Sequence, residues 1–337
     1  MIRTPRAALA LSLCLLAGQA LAEQPNYHVV KKIELGGNGG WDYMNFDSEG
    51  NRLYIARADR VMVVDPDEGK LVGEVPNTPG IHGVALAQKL NRGFTSNGRE
   101  GTVTIFDLKT LKEIDRVKVG TGPDAIIYDP ATNRVFTFNA RSKDSTAIDA
   151  ASGKVAGTIK LDGKPEFAVA DGKGGVFVNL EDKNEVLSLD ANQLTVKEHW
   201  PIAPGEEPSG LAMDRDHRRL FVSCGNQKMV ILDADSGKVV ATVDIGKGTD
   251  AAAFDPEIGC AFSSNGRDGN LTVVQEDGPD KFHVVGNVPT QLGARTMALD
   301  TKTHNIYLCT AKFKPAAAGE RRRQMEPGTF VVLVVGK

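Results

Sequence analysis

The chain has 337 residues, 41% of them hydrophobic and 25% charged, with a formal net charge of −3. That balance offers no basic face of the kind that drives nucleic-acid binding, so nucleic acid is not an expected partner. Apart from its N-terminal leader, no apolar run is long enough to cross a bilayer, and no membrane insertion is expected once the leader is removed.

Residues 1–22 read as a signal peptide. Arg3 and Arg6 precede an apolar stretch from Ala7 to Ala17, too short to span a membrane comfortably, and Ala20-Leu21-Ala22 forms an A-x-A cleavage pattern. A periplasmic or secreted location follows. Cys14, preceded by Leu13, reads as an ordinary residue of that leader. Residues 23–337 form one domain, opened by Tyr27 to Leu35, YHVVKKIEL, which reads as a strand with no blade of its own.

The unit of the chain is legible from Gly120 to Leu161. DAIIYD has the mostly apolar composition of a strand buried on both faces, and PATNR supplies a tight turn. RVFTF is the second strand and TAID the third. AASGK is a hairpin turn, and KVAGTIKL alternates as a half-exposed fourth strand does. Four antiparallel strands in about forty residues make one propeller blade.

The same unit recurs along the chain. The residue two before the hydrophobic pair that opens each inner strand falls on Asp42, His82, Asp124, Glu166, Ser209, Asp250 and Arg295, spaced by 40, 42, 42, 43, 41 and 45 residues. The expected fold is all-β: a seven-bladed β-propeller with blades near 36–77, 78–119, 120–161, 162–202, 203–245, 246–288 and 289–337. The last blade stops after three strands. Pairing Tyr27–Leu35 onto it closes the ring and removes an exposed edge.

Two sets of polar residues behave differently. Asp47, Asp129, Asp171, Asp214, Asp255 and Asp300 end inner strands, and Asp65, Asp107, Asp149, Asp190 and Asp233 end third strands, each beside a turn. A carboxylate there accepts backbone N–H bonds and caps the turn, so these are read as scaffold. The DADSG at Asp233 lacks the closing glutamate of a calcium loop. The register column instead changes chemistry from blade to blade, while its place at the start of the inner strands puts all seven residues around one mouth of the channel.

Converging carboxylates repel unless a cation or basic groups neutralise them. Asp42, His82, Asp124, Glu166 and Asp250 are therefore candidate ligands of a divalent cation: calcium or manganese suits the carboxylates, and His82 favours a transition metal. The second strands return to the same face, ending at Arg57, Asn97, Asn139, Leu180, Cys224, Asn265 and Thr310. Two residues on lie Arg99, Arg141, Arg267 and Lys312. Three uses stay open: a ring of internal salt bridges, a site for a small polar ligand, and a bound metal.

Cys224, Cys260 and Cys309 fall on three blades and predict no disulfide framework; Cys224, at the rim, is read as a half-buried, inert thiol. No C-x-x-C, H-E-x-x-H, G-x-S-x-G or phosphate loop is present, so any chemistry comes from dispersed residues. An insert from about Phe313 to Gly328 is rich in Ala, Gly, Pro and charge. It leaves the end of a second strand, so it is expected to emerge on the face of the register column as a flap carrying Arg321, Arg322 and Arg323.

The repeats GPDAIIYDPATNRVFTFN, KPEFAVADGKGGVFV, EEPSGLAMD, GTDAAAFDP and GARTMALD, with SNGREGTVTIFDLKTL, resemble the bacterial YncE-like, YVTN-repeat β-propeller family from Tyr27 to Lys337. The resemblance implies an exported seven-bladed propeller and carries over no catalytic residue. Related propellers include lactone-hydrolysing enzymes, some with a channel metal, and quinone-dependent dehydrogenases. The dehydrogenases' blades carry repeated docking tryptophans, whereas this chain has only Trp41 and Trp200. The expectation is a propeller binding a small polar ligand or a protein partner at the channel mouth through the seven register residues with Arg99, Arg141 and Arg267. The alternatives are a lactonase-like hydrolase, in which the four register acids hold a cation and His82 is base or ligand, and a non-catalytic interaction scaffold.

Overall fold

A computed structural model describes residues 26–315 and 324–337. The leader expected at residues 1–22, and Arg321, Arg322 and Arg323 of the expected flap, lie outside the described residues.

Seven four-stranded antiparallel sheets stand around a central channel. The inner strands are Trp41–Asp47, Ile81–Ala87, Pro123–Asp129, Pro165–Ala170, Pro208–Asp214, Thr249–Asp255 and Met297–Asp300. Each touches the next, and the first touches the last, so the ring is closed. The final sheet is completed by the N-terminal strand His28–Glu34, which pairs with Val331–Gly336 from His28 opposite Gly336 to Glu34 opposite Val331. That strand covers an edge whose six residues, VVLVVG, are all buried.

The second and third strands of a blade are sandwiched between neighbouring blades and read as nearly continuous buried runs, as in Arg134–Asn139 and Asp144–Asp149. The outer strand faces solvent on one side, so Val155–Lys160 alternates. The inner strand departs from the expectation of burial on both faces: Ile127 and Tyr128 pack into the two opposite junctions yet are only partly buried, because the strand's free edge lines the channel.

Among the described residues there are seven hydrophobic clusters rather than one core, and each lies at a junction between successive blades. Burial is therefore local to neighbours, the arrangement that lets a repeat protein grow past the size of a single core. Long cations tie the junctions at the base. Arg92 donates to the carbonyls of Ala150 and Ala151 in the next blade, Arg134 to those of Ala191 and Asn192, and Arg219 to that of Pro279. Lys31 of the closing strand grips Pro66 and Asp67 of blade 1 in the same way, at 2.8 and 2.7 Å.

The turn-capping aspartates act as expected. Asp47 Oδ1 accepts the amides of Glu49 and Gly50, both at 3.1 Å, and Asp107 Oδ1 accepts those of Lys109 and Thr110 at 3.0 and 2.7 Å. No helix among the described residues is long and apolar enough to cross a membrane.

Candidate functional site at the channel mouth

A backbone irregularity places the register column. In six blades the pairing of inner and second strand slips just after the first residue, between Trp41 and Met44, Ile81 and Val84, Pro123 and Ile126, Pro165 and Ala168, Pro208 and Leu211, and Thr249 and Ala251. Asp42, His82, Asp124, Glu166, Ser209 and Asp250 each sit inside such a bulge, and Arg295 lies two residues before the shortened inner strand of blade 7. A bulge leaves its residue out of the ladder and re-aims the side chain. Here it turns six polar side chains toward the mouth.

Five of the seven converge. His82 Nδ1 lies 2.6 Å from Asp42 Oδ2 and 3.4 Å from Asp124 Oδ1. Arg295 pairs with Asp250 and lies 3.6 Å from Asp42, while its guanidinium also donates to the Trp41 carbonyl at 3.2 Å. Glu166 stands apart, accepting from the Tyr43 hydroxyl at 3.1 Å with Lys164 Nζ at 3.6 Å, and its Oε2 is buried with no hydrogen-bond partner. Ser209 is not free for a ligand: its hydroxyl is directed to the carbonyls of Ser223 and Thr249.

Below this ring the channel is plugged. The rings of Tyr43 in blade 1 and Phe167 in blade 4 meet edge to face with centroids 5.0 Å apart. Beneath them lies a cavity of about 480 Å³, lined largely by apolar side chains such as Val84 and Ile126. The polar mouth is thus separated from an apolar lower chamber.

Burial and crowding set the protonation states. Burial raises Asp250 to about 6 against the pull of Arg295. Burial likewise lifts Asp124 to about 6, opposed by His82 and reinforced by Asp42. Glu166 rises to about 8, through burial first and the charge of Asp124 second. Burial works to neutralise His82, but the Asp42 hydrogen bond and the charges of Asp124, Asp42 and Glu166 outweigh it and carry the imidazole to about 9. At neutral pH the ring therefore holds an imidazolium and a neutral Glu166.

The cations that neutralise these acids differ from those expected. Among the described residues Arg99, Arg141 and Arg267 form no ion pair; Arg295, His82 and Lys164 do the work instead. Arg99, Arg141 and Arg267 start out packed against Gly80, Gly122 and Gly248, where an added Cβ would come within 3.0, 2.9 and 2.5 Å of them and where φ is +66°, +64° and +73°. In blade 4 the residue aligned with those glycines is Lys164, and it bonds Glu181 as well as approaching Glu166. A lysine interrupting a glycine column two residues before the register position was the available signal for it.

Arg99, Arg141 and Lys164 line an open pocket of about 520 Å³ over blades 2 to 4, together with His82 and Asp124. Arg267 lies on blade 6, outside that pocket. Cys224 is fully buried rather than half-buried, and burial pushes its thiol up to about 12.

No family model matches the chain. It is 23% identical over 186 residues, 52% of this chain and 52% of the relative, to a Salmonella typhi protein named uncharacterized protein YncE. The aligned region thus spans about half the length of that curated relative. That likeness and the ring of seven four-stranded blades together support a YncE-like β-propeller.

Solved structures add the fold alone. The YncE-like propeller superposes on a chain of Kuenenia stuttgartiensis hydrazine synthase with a TM-score of 0.72 and 17% identity, covering 80% of this chain and 92% of that one. On a chain of the mitotic checkpoint complex the TM-score is 0.76 at 14% identity, covering 100% and 99%. On U3-55K it is 0.76 at 8% identity, covering 92% and 98%. Such low identities carry architecture and no chemistry.

Proposed function

We propose that this YncE-like propeller is exported through the leader at residues 1–22 and binds a small polar ligand at the channel mouth. The observation that carries the reading is the pocket over blades 2 to 4, where Arg99 and Arg141 have no acidic partner among the described residues. Beside them His82 and Asp124 form a charge pair already held in place by the bulges. Two guanidinium groups next to a fixed acid suit a ligand with a carboxylate or phosphate at one end and a hydroxyl or amine at the other. A panel of hydroxy acids, amino acids and phosphate esters, titrated into the purified protein by calorimetry, tests this. Arg99→Ala and Arg141→Ala should each weaken binding about tenfold, and Arg267→Ala should leave it unchanged. The reading fails if no member of the panel binds, or if binding ignores both substitutions.

A second reading is a metal-dependent hydrolase of the lactonase kind. It is favoured by one observation: ligand atoms of Asp42, His82 and Asp124 lie within 4.8 Å of one another. Those donors fit a divalent cation, which would polarise a carbonyl and activate water there. The reading ranks second because the acids already have cationic partners without an ion: Asp42 and Asp124 face His82, and Asp42 also faces Arg295. Lactone turnover dependent on added divalent metal and abolished by Asp42→Asn would raise it above the first.

A further inference from the structure

The base of the junction between blades 5 and 6 carries a group of side chains that turn capping explains only in part, since Asp214 accepts the amides of Asp216 and His217 but Glu276 caps no turn. Asp214 ends the inner strand of blade 5, His217 lies in the turn that follows, and Glu276 lies in the third strand of blade 6, Asn270–Gly278. His217 Nδ1 is 2.8 Å from Asp214 Oδ2 and 3.0 Å from Glu276 Oε1. Ligand atoms of all three lie within 4.8 Å of one another. The acids are deeply buried, with Asp214 2% and Glu276 8% exposed. Glu276 Oε2 is buried with no hydrogen-bond partner, and Oε1 has only the 3.0 Å ion-pair contact with His217, outside good hydrogen-bond geometry.

The repeats show that the fold does not need this acid. The positions aligned with Glu276 in blades 1 to 5 are Pro66, Leu108, Ala150, Ala191 and Ala234, which pack beneath the hairpin that follows. Burying a carboxylate where the scaffold accepts alanine is costly unless something pairs with it. His217 alone does not suffice, because one ring nitrogen carries at most one proton and here faces two acids. The base of blade 7 provides an internal control: His304 Nδ1 makes an ordinary 2.8 Å hydrogen bond to one buried acid, Asp255. The nearby arginines are engaged elsewhere. Arg215 donates to the Ala170 carbonyl, Arg218 pairs with Asp171 and Asp235, and Arg219 with Asp233 and Asp280.

We propose that Asp214, His217 and Glu276 form a binding site for a divalent cation of the zinc class, which fastens the long hairpin of blade 6 to blade 5. One imidazole nitrogen and two carboxylate oxygens are a donor set that zinc accepts, and bonds of about 2 Å put neighbouring ligand atoms about 3 Å apart, matching the two contacts of His217 Nδ1. Calcium fits less well, since it takes six or more oxygen ligands. The half-exposed ring of His217 leaves one side of the site open to solvent, so a water can complete the coordination. The site is remote from the channel mouth and independent of the ligand reading above.

The test uses the full chain stripped with a chelator and titrated with zinc by calorimetry, with melting followed in parallel. Wild type should bind one zinc ion per chain at this site and melt several degrees higher with it, reversibly on adding chelator. An Asp42→Asn/His82→Gln double variant, which disables the mouth cluster, should keep that response. Glu276→Ala and His217→Ala should each lose at least tenfold in affinity. Glu276→Ala should still fold, because other blades carry alanine at that position, and its melting should ignore zinc. The proposal is overturned if wild type binds no zinc, or if Glu276→Ala binds as wild type does. It is equally overturned if binding disappears in the mouth variant and persists in Glu276→Ala, or if the two acids share a proton and bind no ion.

Discussion

The inner strands are built differently at their two ends. At the base, five of the seven inner strands end in an aspartate and a sixth is followed directly by Asp171; each of these six folds back on its own turn, and repetition there reflects a shared backbone need. At the mouth, the bulge is repeated but the residue within it is not. The contrast separates two kinds of buried charge. Base carboxylates are held by amides of the same turn. Mouth carboxylates are held by distant side chains and are destabilised as anions, since burial raises Asp124, Glu166 and Asp250. Glu276 belongs to the second kind although it sits at the base, which is why it stands out.

The largest expected effect concerns the frame that both ends share. A chain beginning at Gly36 loses the closing strand, with buried Ile33 and Tyr27, and bares the Val331–Gly336 edge. A loss on the order of 5 kcal/mol is expected, read as a lower denaturant midpoint and broadened unfolding. Melting unchanged from the parent would show that the ring does not depend on this closure.

Next in size is a direct attack on the base rule. Asp255 is fully buried, accepts the Glu257 amide at 3.1 Å and holds His304. Asp255→Ala should cost about 2 kcal/mol in chemical denaturation. The mouth counterpart, Asp124→Asn, should do the opposite at pH 8, raising stability by about 1 kcal/mol because it removes a charge from a crowded ring. Equal losses from both substitutions would erase the distinction.

The pH dependence of stability sharpens the comparison. Asp107 and Asp149 are held below the usual carboxylate range, mainly by the amide of Thr110 and by the Ser152 side chain. Their contribution is present above the ordinary carboxylate value and is lost as pH falls through the lower, folded one. Asp124 and Asp250, near 6, Glu166, near 8, and His82, near 9, bind protons more tightly in the folded state. Their contribution is fully present at low pH and is lost as pH rises, from about 4 to 6 for the aspartates and from about 6.5 to 9 for His82. Stability should therefore fall both as pH drops below the carboxylate range and as it rises above about 4, and Asp124→Asn should flatten the rising-pH limb between about pH 4 and 6. An unchanged slope over that window in the variant would reject the assignment.

The smallest effect is an expected absence. Arg99→Ala should change stability by less than about 0.5 kcal/mol, because no ion pair among the described residues is broken. A larger loss would restore these arginines to the salt-bridge role and weaken the case for a ligand.

The period, the number of blades, the closing strand and the turn aspartates were legible in the sequence because each follows from local chain geometry. Strand alternation, turn chemistry and spacing act over a few residues, and forty-residue repetition lets each blade vouch for the others. The register column was legible as a set of equivalent positions, of which five converge while Glu166 stands apart and Ser209 turns to backbone carbonyls. Who pairs with whom was not. Arg295 meets Trp41 across 254 residues, and Tyr43 meets Glu166 across 123. Whether Arg99 or Lys164 reaches an acid depends on side-chain direction over a glycine or its absence. The same holds for Glu276, one acid among many in the sequence, whose burial against Asp214 and His217 arises only because a long hairpin of one blade folds over its neighbour. Repetition determined the scaffold, and the angles at which seven blades meet decided the charges.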